Sequence, residues 1–197
     1  MSLSKLNTTL LLLIIAVNLY VVAMPLMPII GYQLDTYSGR WQDLERQLRV
    51  TGATTAGSDS AAAVSKPDSL TIPAMMLDQP VLEGRDTYDV LNRGILRWPA
   101  SSTPDKGGNT VLLGHRFTYS QPRGVFYNLD KLKTGDMIGV SWKNKQYIYR
   151  VTGSRVVKPA ETQILAPTAG AQLTLFTCTP LLWPKDRLVV TATLEKR

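Results

Sequence analysis

The stretch QLTLFTCTPLLWPKDRLVVTATL, Gln172 to Leu194, decides the fold of the C-terminal part of the chain. Its two ends, QLTLFT and RLVVTATL, have the alternating apolar and β-branched residues that are typical of half-buried strands. The connection between them is short, so we expect the strands to pair antiparallel, with the end of the first beside the start of the second. This pairing would make Cys178 and Arg187 neighbours.

The other patterns after Pro67 also indicate β structure. Gln146 to Val151 alternates in the same way, and turn signals such as PDKGGN and KTGD separate the apolar runs. No long helical period appears in this part of the sequence. The patterns predict an all-β domain, either a small antiparallel barrel or a sandwich, with helices that are short.

Composition sets limits on size and partners. The chain has 197 residues, of which 44% are hydrophobic, and this is enough for a packed core. The excess of 22 Lys and Arg over 15 Asp and Glu gives a net charge of +7, which favours anionic partners. The basic residues are dispersed and are not interleaved with aromatic residues, so we predict no nucleic-acid partner.

The N-terminal segment is long and apolar. The sequence has no charged residue between Lys5 and Asp35, and residues 10–31 would span about 33 Å as a helix, enough to cross a hydrocarbon core. We predict a signal-anchor helix over 10–31 that crosses the cell membrane once. Residues 1–9 would form a short cytoplasmic tail, and the folded domain would be extracellular. A cleaved signal peptide is the alternative, but no clear cleavage site is visible.

Residues 32–66 are expected to connect this helix to the folded domain. Tyr37, Trp41, Leu44 and Leu48 recur at intervals of four, three and four, which places them on one face of a juxtamembrane helix. The segment VTGATTAGSDSAAAVSK that follows is nearly all small or polar, and it is typical of a flexible linker. The folded domain is therefore predicted to cover residues 67–197.

The candidate chemistry depends on one thiol and one imidazole, because the chain has a single cysteine and a single histidine. An unpaired cysteine outside the membrane is buried and inert, linked to another chain, or reactive. His115 follows the apolar run VLLG, at the end of a predicted strand, where it could serve as a base. Arg187 could donate hydrogen bonds to an oxyanion, or it could simply pair with Asp186.

Several motifs resemble those of the sortases, the cysteine transpeptidases of bacterial surfaces. TLFTC at Thr174 to Cys178 is similar to the sortase cysteine signature. The resemblance extends in the expected order over nearly all of residues 70–194. It includes IPAMMLDQPVLEG from Ile72, GGNTVLLGHR ending at Arg116, FYNLDKLKTGDMIGV from Phe126 and RLVV from Arg187.

The resemblance implies a closed eight-stranded sortase-type barrel in which Cys178, His115 and Arg187 share one groove. Cys178 would attack an LPxTG-like sorting signal between Thr and Gly and hold the substrate as a thioacyl intermediate. His115 would serve as general acid and then as base, and Arg187 would hold the substrate and the oxyanion. Thr177 would line the substrate groove, unless it is an ordinary strand residue. No metal and no organic cofactor is required by this chemistry.

The resemblance also implies partners. The substrates would be surface proteins with an LPxTG-like signal, and the acceptor would be an amine of a peptidoglycan precursor or of a pilin lysine. Residues 158–170 are expected to carry much of the specificity, and Glu161 is the only acidic residue among them, so we predict no metal there. The sequence Leu181-Leu182-Trp183 would form a substrate wall or simply pack.

We expect the protein to act as a monomer. Two other functions stay open at this point. One is a cysteine endopeptidase that uses water to resolve the thioester, and the other is a non-catalytic surface barrel that binds peptides.

Overall fold

The computed structural model describes residues 3–24, 26–37, 39–54, 67–118, 124–181 and 183–195. The chain divides into two compact units, residues 1–38 and 39–197. The flexible linker was predicted over residues 50–66. This is wrong for residues 50–54, which are helical, and residues 55–66 lie outside the described residues. The helix predicted to precede them is part of the second unit.

The first unit contains two helices, α1 over Leu3–Ala23 and α2 over Met27–Tyr37. Within α1, Ser4–Ala23 is long and apolar enough to cross a membrane, with a mean hydropathy of 2.1. The predicted continuous helix over 10–31 is wrong in its bounds, because helix α1 starts earlier and α2 begins after a break. Pro28 is the second residue of α2, and a proline, which has no amide N–H for the helical hydrogen bond, is tolerated in a first turn but not within a continuous helix.

The second unit begins with helix α3, Arg40–Thr54, and contains one more α-helix, α4, Thr87–Arg93. Asp86 caps α4, because its carboxylate accepts hydrogen bonds from the amides of Tyr88 and Asp89 at 3.0 and 3.1 Å. On α3, Leu48 is buried and packs on the barrel next to Gly139. The predicted helix with Trp41, Leu44 and Leu48 on one face is thus present, whereas Tyr37 lies at the end of α2.

Eight strands form a closed barrel in the order β1-β2-β3-β4-β7-β8-β6-β5. Their bounds are Ser69–Ile72 (β1), Leu77–Leu82 (β2), Ile95–Arg97 (β3), Asn109–Leu113 (β4), Met137–Trp142 (β5), Lys145–Val157 (β6), Gln172–Thr179 (β7) and Asp186–Leu194 (β8). The prediction of an eight-stranded barrel is confirmed. The expectation that it is antiparallel is wrong at two places, because β2 pairs parallel with β3 and β4 pairs parallel with β7.

The hydrophobic core fills the barrel with inward-facing side chains from alternate strand positions. On β7 these are Leu173 and Leu175, and on β8 they are Leu188, Val190 and Ala192. The residues between them point to the outer face of the barrel. That outer face of β4, β7 and β8 carries the site described next.

Candidate active site

Cys178 and Arg187 are direct partners across the β7–β8 pair. The antiparallel register runs from Gln172 opposite Thr193 to Thr179 opposite Asp186, and it places Cys178 opposite Arg187. Directly opposite residues project to the same face, with Cα atoms about 4.5–5.5 Å apart. The predicted neighbourhood of the thiol and the guanidinium is therefore confirmed.

His115 lies on the other side of Cys178. Strand β4 runs parallel to β7, and its last pair is Leu113 with Phe176. His115 lies two residues beyond the end of β4 and Cys178 lies two residues beyond Phe176, so both are at the same end of the barrel as Arg187.

These three side chains line one cavity of about 430 Å³. Apolar side chains form much of its wall: Leu91, Trp98, Leu113, Ile164, Leu165 and Phe176. The segment between β6 and β7 contributes Lys158, Pro159, Glu161 and Thr162 in addition. Such a cavity can bind a mainly apolar ligand next to a thiol, an imidazole and a guanidinium.

Cys178 is a free thiol with intermediate exposure. The thiol is therefore not completely buried, as an inert thiol would be. A thiol at the edge of a cavity is accessible to a peptide carbonyl, and a basic neighbour can promote its ionisation.

The backbone of His115 is fixed by close packing. Its carbonyl accepts a hydrogen bond from the amide of Phe126 at 3.0 Å. At Gly124 a Cβ atom would clash with the His115 carbonyl, and at Gly114 it would clash with the Val125 side chain. Glycine is required at both positions because the two segments approach so closely.

The imidazole itself has no hydrogen-bond partner at Nε2 within the described part of the chain, although this atom is buried. Burial lowers the pKa of His115 below its usual 6.5, because desolvation disfavours the charged ring. The ring is therefore mainly neutral at neutral pH. A neutral imidazole can accept a proton from a thiol, which is what a general base must do.

Arg187 does not pair with the Asp186 side chain, so that alternative is wrong. The Asp186 carboxylate accepts a hydrogen bond from Lys158 Nζ at 2.8 Å. Arg187 donates one hydrogen bond to the backbone carbonyl of Asp186 at 3.1 Å. Among the described residues no carboxylate lies within salt-bridge distance of Arg187, and its other donors can bind an oxyanion or a carbonyl.

Thr177 borders the cavity but its hydroxyl is already used. The side chain is 2% exposed, and Oγ1 donates a hydrogen bond to the carbonyl of Gly114 at 2.8 Å. Trp183 is 82% exposed and does not line the cavity, and Leu182 lies outside the described residues. Six residues between 158 and 165 line it, and the role of this segment in specificity stays a prediction.

The sequence analysis did not predict the cavity-lining side chains that lie outside the quoted motifs. Leu91 on α4 and Trp98 after β3 have no motif that marks them as site residues. The ion pair of Lys158 with Asp186 was missed as well, because strand β6 continues to Val157, beyond the alternating pattern of residues 146–151.

No group of three or more His, Cys, Asp or Glu side chains in the described part of the chain is arranged to hold a metal ion. The expectation that the chemistry needs no cofactor stays a prediction.

Comparison with known proteins gives a consistent family. The family model described as Sortase domain matches residues 70–195. Sortase SrtE1 of Streptomyces coelicolor is 33% identical over 136 residues, which cover 61% of this chain and 38% of that protein. Sortase A of Staphylococcus aureus is 32% identical over 126 residues, which cover 60% of each chain. The chain thus spans between about a third and two thirds of the length of these curated relatives.

A solved structure agrees in fold. The crystal structure of sortase C1 from Streptococcus agalactiae superposes with a TM-score of 0.60 at 31% identity, and covers 70% of this chain and 72% of that one. Because the family model matches more than half of the chain and the barrel agrees in fold with a solved sortase, we conclude that the chain belongs to the sortase family.

Proposed function

We propose that this protein is a sortase-type cysteine transpeptidase. The observation that carries the proposal is the convergence of Cys178, His115 and Arg187 on one cavity, at the ends of three neighbouring strands. A nucleophile, a base and a hydrogen-bond donor are the groups that acyl transfer through a thioester requires.

In the first step, the sulfur of Cys178 attacks the carbonyl carbon of the substrate threonine in an LPxTG-like signal. His115 is neutral before the reaction and takes the thiol proton as the C–S bond forms. It then gives that proton to the leaving glycine amine as the C–N bond breaks. The products of this step are a thioacyl enzyme, a free amine and a neutral imidazole, so the protons balance.

Arg187 stabilises the negative charge that develops on the carbonyl oxygen. Its N–H donors are available for this role because no carboxylate in the described residues competes for them. Thr177 contributes to the groove by its shape and its main chain, since its hydroxyl is bonded to the Gly114 carbonyl. A guanidinium keeps its charge at any physiological pH.

In the second step an amine attacks the thioester, and His115 accepts its proton and returns it to the sulfur. The acceptor is an amine of a peptidoglycan precursor or a pilin lysine, and the product is a new peptide or isopeptide bond. The substrates are surface proteins that carry the sorting signal. Helix α1 anchors the enzyme in the cell membrane, with the catalytic domain outside the cell.

The test uses the full chain in detergent micelles with a library of Leu-x-x-Thr-Gly peptides and an amine acceptor, analysed by mass spectrometry. The expected result is a ligated product and a Cys178-linked acyl intermediate, both absent in Cys178→Ala. Product that is only hydrolysed, even at high amine concentration, would identify an endopeptidase instead. Peptide that is bound by the chain but yields neither a product nor an intermediate would identify a binding module.

A further inference from the structure

Two side-chain hydrogen bonds link the residues that flank Cys178 to the residues that flank His115. Thr177 Oγ1 donates to the carbonyl of Gly114 at 2.8 Å. On the other side, Arg116 Nη1 donates to Thr179 Oγ1, also at 2.8 Å. The thiol and the imidazole thus each lie between two cross-links that join the same pair of chain segments.

These cross-links begin where the main-chain ladder ends. The last β4–β7 pair is Leu113 with Phe176, and β4 ends at Leu113. Beyond it the segment of residues 114–116 leaves the sheet. Without further contacts, a strand end of this kind frays and its side chains lose their relative positions.

Arg116 is itself fixed by several contacts. Nη2 lies 3.1 Å from Asp130 Oδ2, and Nε donates to the carbonyl of Tyr127 at 3.4 Å. The side chain is only 13% exposed, so its charge is largely removed from solvent. A guanidinium in such a place needs well-aligned partners, and its fork of donors suits several partners at once.

The partners come from two parts of the fold. Asp130 and Tyr127 belong to the turn after the His115 loop, whereas Thr179 is the last residue of β7. Arg116 therefore joins the histidine segment, this turn and the cysteine strand through one side chain.

We propose that Arg116 is a positioning residue that, with Thr179 as its acceptor, sets the separation of the Cys178 thiol and the His115 imidazole. The inference rests on the proposed function, in which these two groups exchange a proton. Arg116 contacts neither the sulfur nor the imidazole ring in this scheme, and it acts by holding the two chain segments together.

The chain has one cysteine and one histidine, so alkylation reports on Cys178 alone and a histidine substitution removes the only imidazole. The alkylation rate of Cys178 by iodoacetamide is measured against pH in the full chain in micelles, with and without His115→Ala. The other charged or titratable groups that line the cavity are Arg187, Lys158 and Glu161, and they are the same in every variant. The difference between the two profiles measures how strongly the imidazole influences the thiol.

The same pair of profiles is then measured in Arg116→Met. We expect His115→Ala to change the alkylation profile of the natural chain clearly and that of Arg116→Met much less. Peptide transfer by Arg116→Met should fall about tenfold or more in kcat, with a smaller change in KM, since a charge-assisted hydrogen bond is lost. Arg116→Lys keeps the charge but not the fork, and should lie between the two.

Thr179 gives a second test if Arg116→Met folds poorly. Thr179→Val has the same shape but lacks the acceptor oxygen, whereas Thr179→Ser retains it. The valine variant should lose the influence of His115 on Cys178, and the serine variant should keep most of it.

Arg150→Met is the control, because Arg150 also makes an ion pair, with Glu195, and does not line the cavity. It should lower the melting temperature and leave both alkylation profiles unchanged.

The proposal is overturned if Arg116→Met and Thr179→Val reduce the melting temperature but leave the influence of His115 on Cys178 as in the natural chain. If His115→Ala as the single substitution has no effect on the alkylation of Cys178, both the thiol–imidazole pair and the positioning role of Arg116 are overturned. Coupling that is lost in the variants while the natural enzyme transfers no peptide would support the positioning role and refute only the proposed activity.

Discussion

Helix α3 covers the outer face of the barrel near β1 and β5, whereas the irregular segment between β6 and β7 covers the outer face of β4, β7 and β8. In the first region Leu48 of α3 packs so closely on β5 that a Cβ atom at Gly139 would clash with it. In the second region a cavity of about 430 Å³ is present between the sheet and the covering segment. The same barrel surface is thus closed in one place and accessible in another.

The difference lies in how each covering segment is attached. Helix α3 is held by the apolar side chain of Leu48, which packs against Gly139. Close apolar packing of this kind leaves no room for a cavity. The segment after β6 is held by Asn109, which is 3% exposed. Its Nδ2 donates to the carbonyls of Ile164 and Ala166 at 3.0 and 2.9 Å, and its Oδ1 accepts from Thr174 Oγ1 at 2.7 Å. The ion pair of Lys158 with Asp186 attaches the other end, so polar contacts hold the segment at both ends and the residues between them line the cavity.

The strongest way to break this arrangement is Asn109→Asp, which changes the donors but not the shape. The carboxylate would face two carbonyl oxygens in a buried place, so we expect a loss of about 3 kcal/mol or more in the free energy of unfolding. The covering segment should also move away from the sheet and raise the KM for peptide. Urea unfolding and transfer kinetics measure the two effects.

Asn144→Asp is the control for Asn109→Asp, since Asn144 is exposed in the β5–β6 turn. It should change neither quantity by much. Equal effects of the two substitutions would show that Asn109 does not hold the segment.

Leu48→Ala tests the closed side. Removal of a buried leucine leaves a cavity under α3 and should cost about 2 kcal/mol or more in the free energy of unfolding. The alkylation of Cys178 should not change, because α3 is not part of the cavity wall. Val50→Ala, at an exposed position of the same helix, should stay within about 0.5 kcal/mol of the natural chain. A change in Cys178 reactivity in Leu48→Ala would show that the two covered faces are coupled.

The sequence predicted the parts of this picture that depend on local patterns. Alternation placed β7 and β8, and their short connection was enough to make Cys178 and Arg187 neighbours. The parallel pairing of β4 with β7 was not predicted, because the two strands are separated by many residues and their alternation is the same in either direction. For the same reason the patterns alone did not distinguish a barrel from a sandwich.

Other features depend on contacts that leave no periodic signal. Asn109 was visible only as part of a turn signal and a family motif, since its bonding partners lie more than fifty residues away along the chain. The cross-links of Arg116 were not visible either, because a single basic residue after a histidine has no pattern. The break between α1 and α2 was not predicted, because the whole apolar run of residues 10–31 was assigned to one helix.

Lys158→Met tests the side of the barrel that carries the cavity. Lys158 lines this cavity and also donates a hydrogen bond to the Asp186 carboxylate. Without the lysine, that carboxylate is expected to turn to Arg187 and compete with the substrate. The Lys158 side chain is largely exposed, so the loss in kcat/KM should be modest, about fivefold or less.

The double variant Lys158→Met with Asp186→Asn should recover most of the activity, because the amide carries no charge. Transfer kinetics of these two variants and of Asp186→Asn alone complete a double-mutant cycle. If the double variant is no better than Lys158→Met, competition by Asp186 is not the reason for the loss.

The smallest expected effect concerns the single imidazole. Because burial lowers the pKa of His115 in the folded chain, the NMR titration midpoint of its ring should lie below 6.5. The unfolded chain then binds more protons between the folded pKa and 6.5, so the free energy of unfolding rises with pH through this window. The stability that neutral His115 contributes is present above the unfolded pKa, and it is lost as the pH falls through the folded pKa. Urea midpoints at about pH 7.5 and about pH 5.5 should therefore differ more in the natural chain than in His115→Gln. A ring that titrates at or above 6.5 would mean that water reaches it freely, and the cavity would then be open to solvent at the position where the proposed proton transfer takes place.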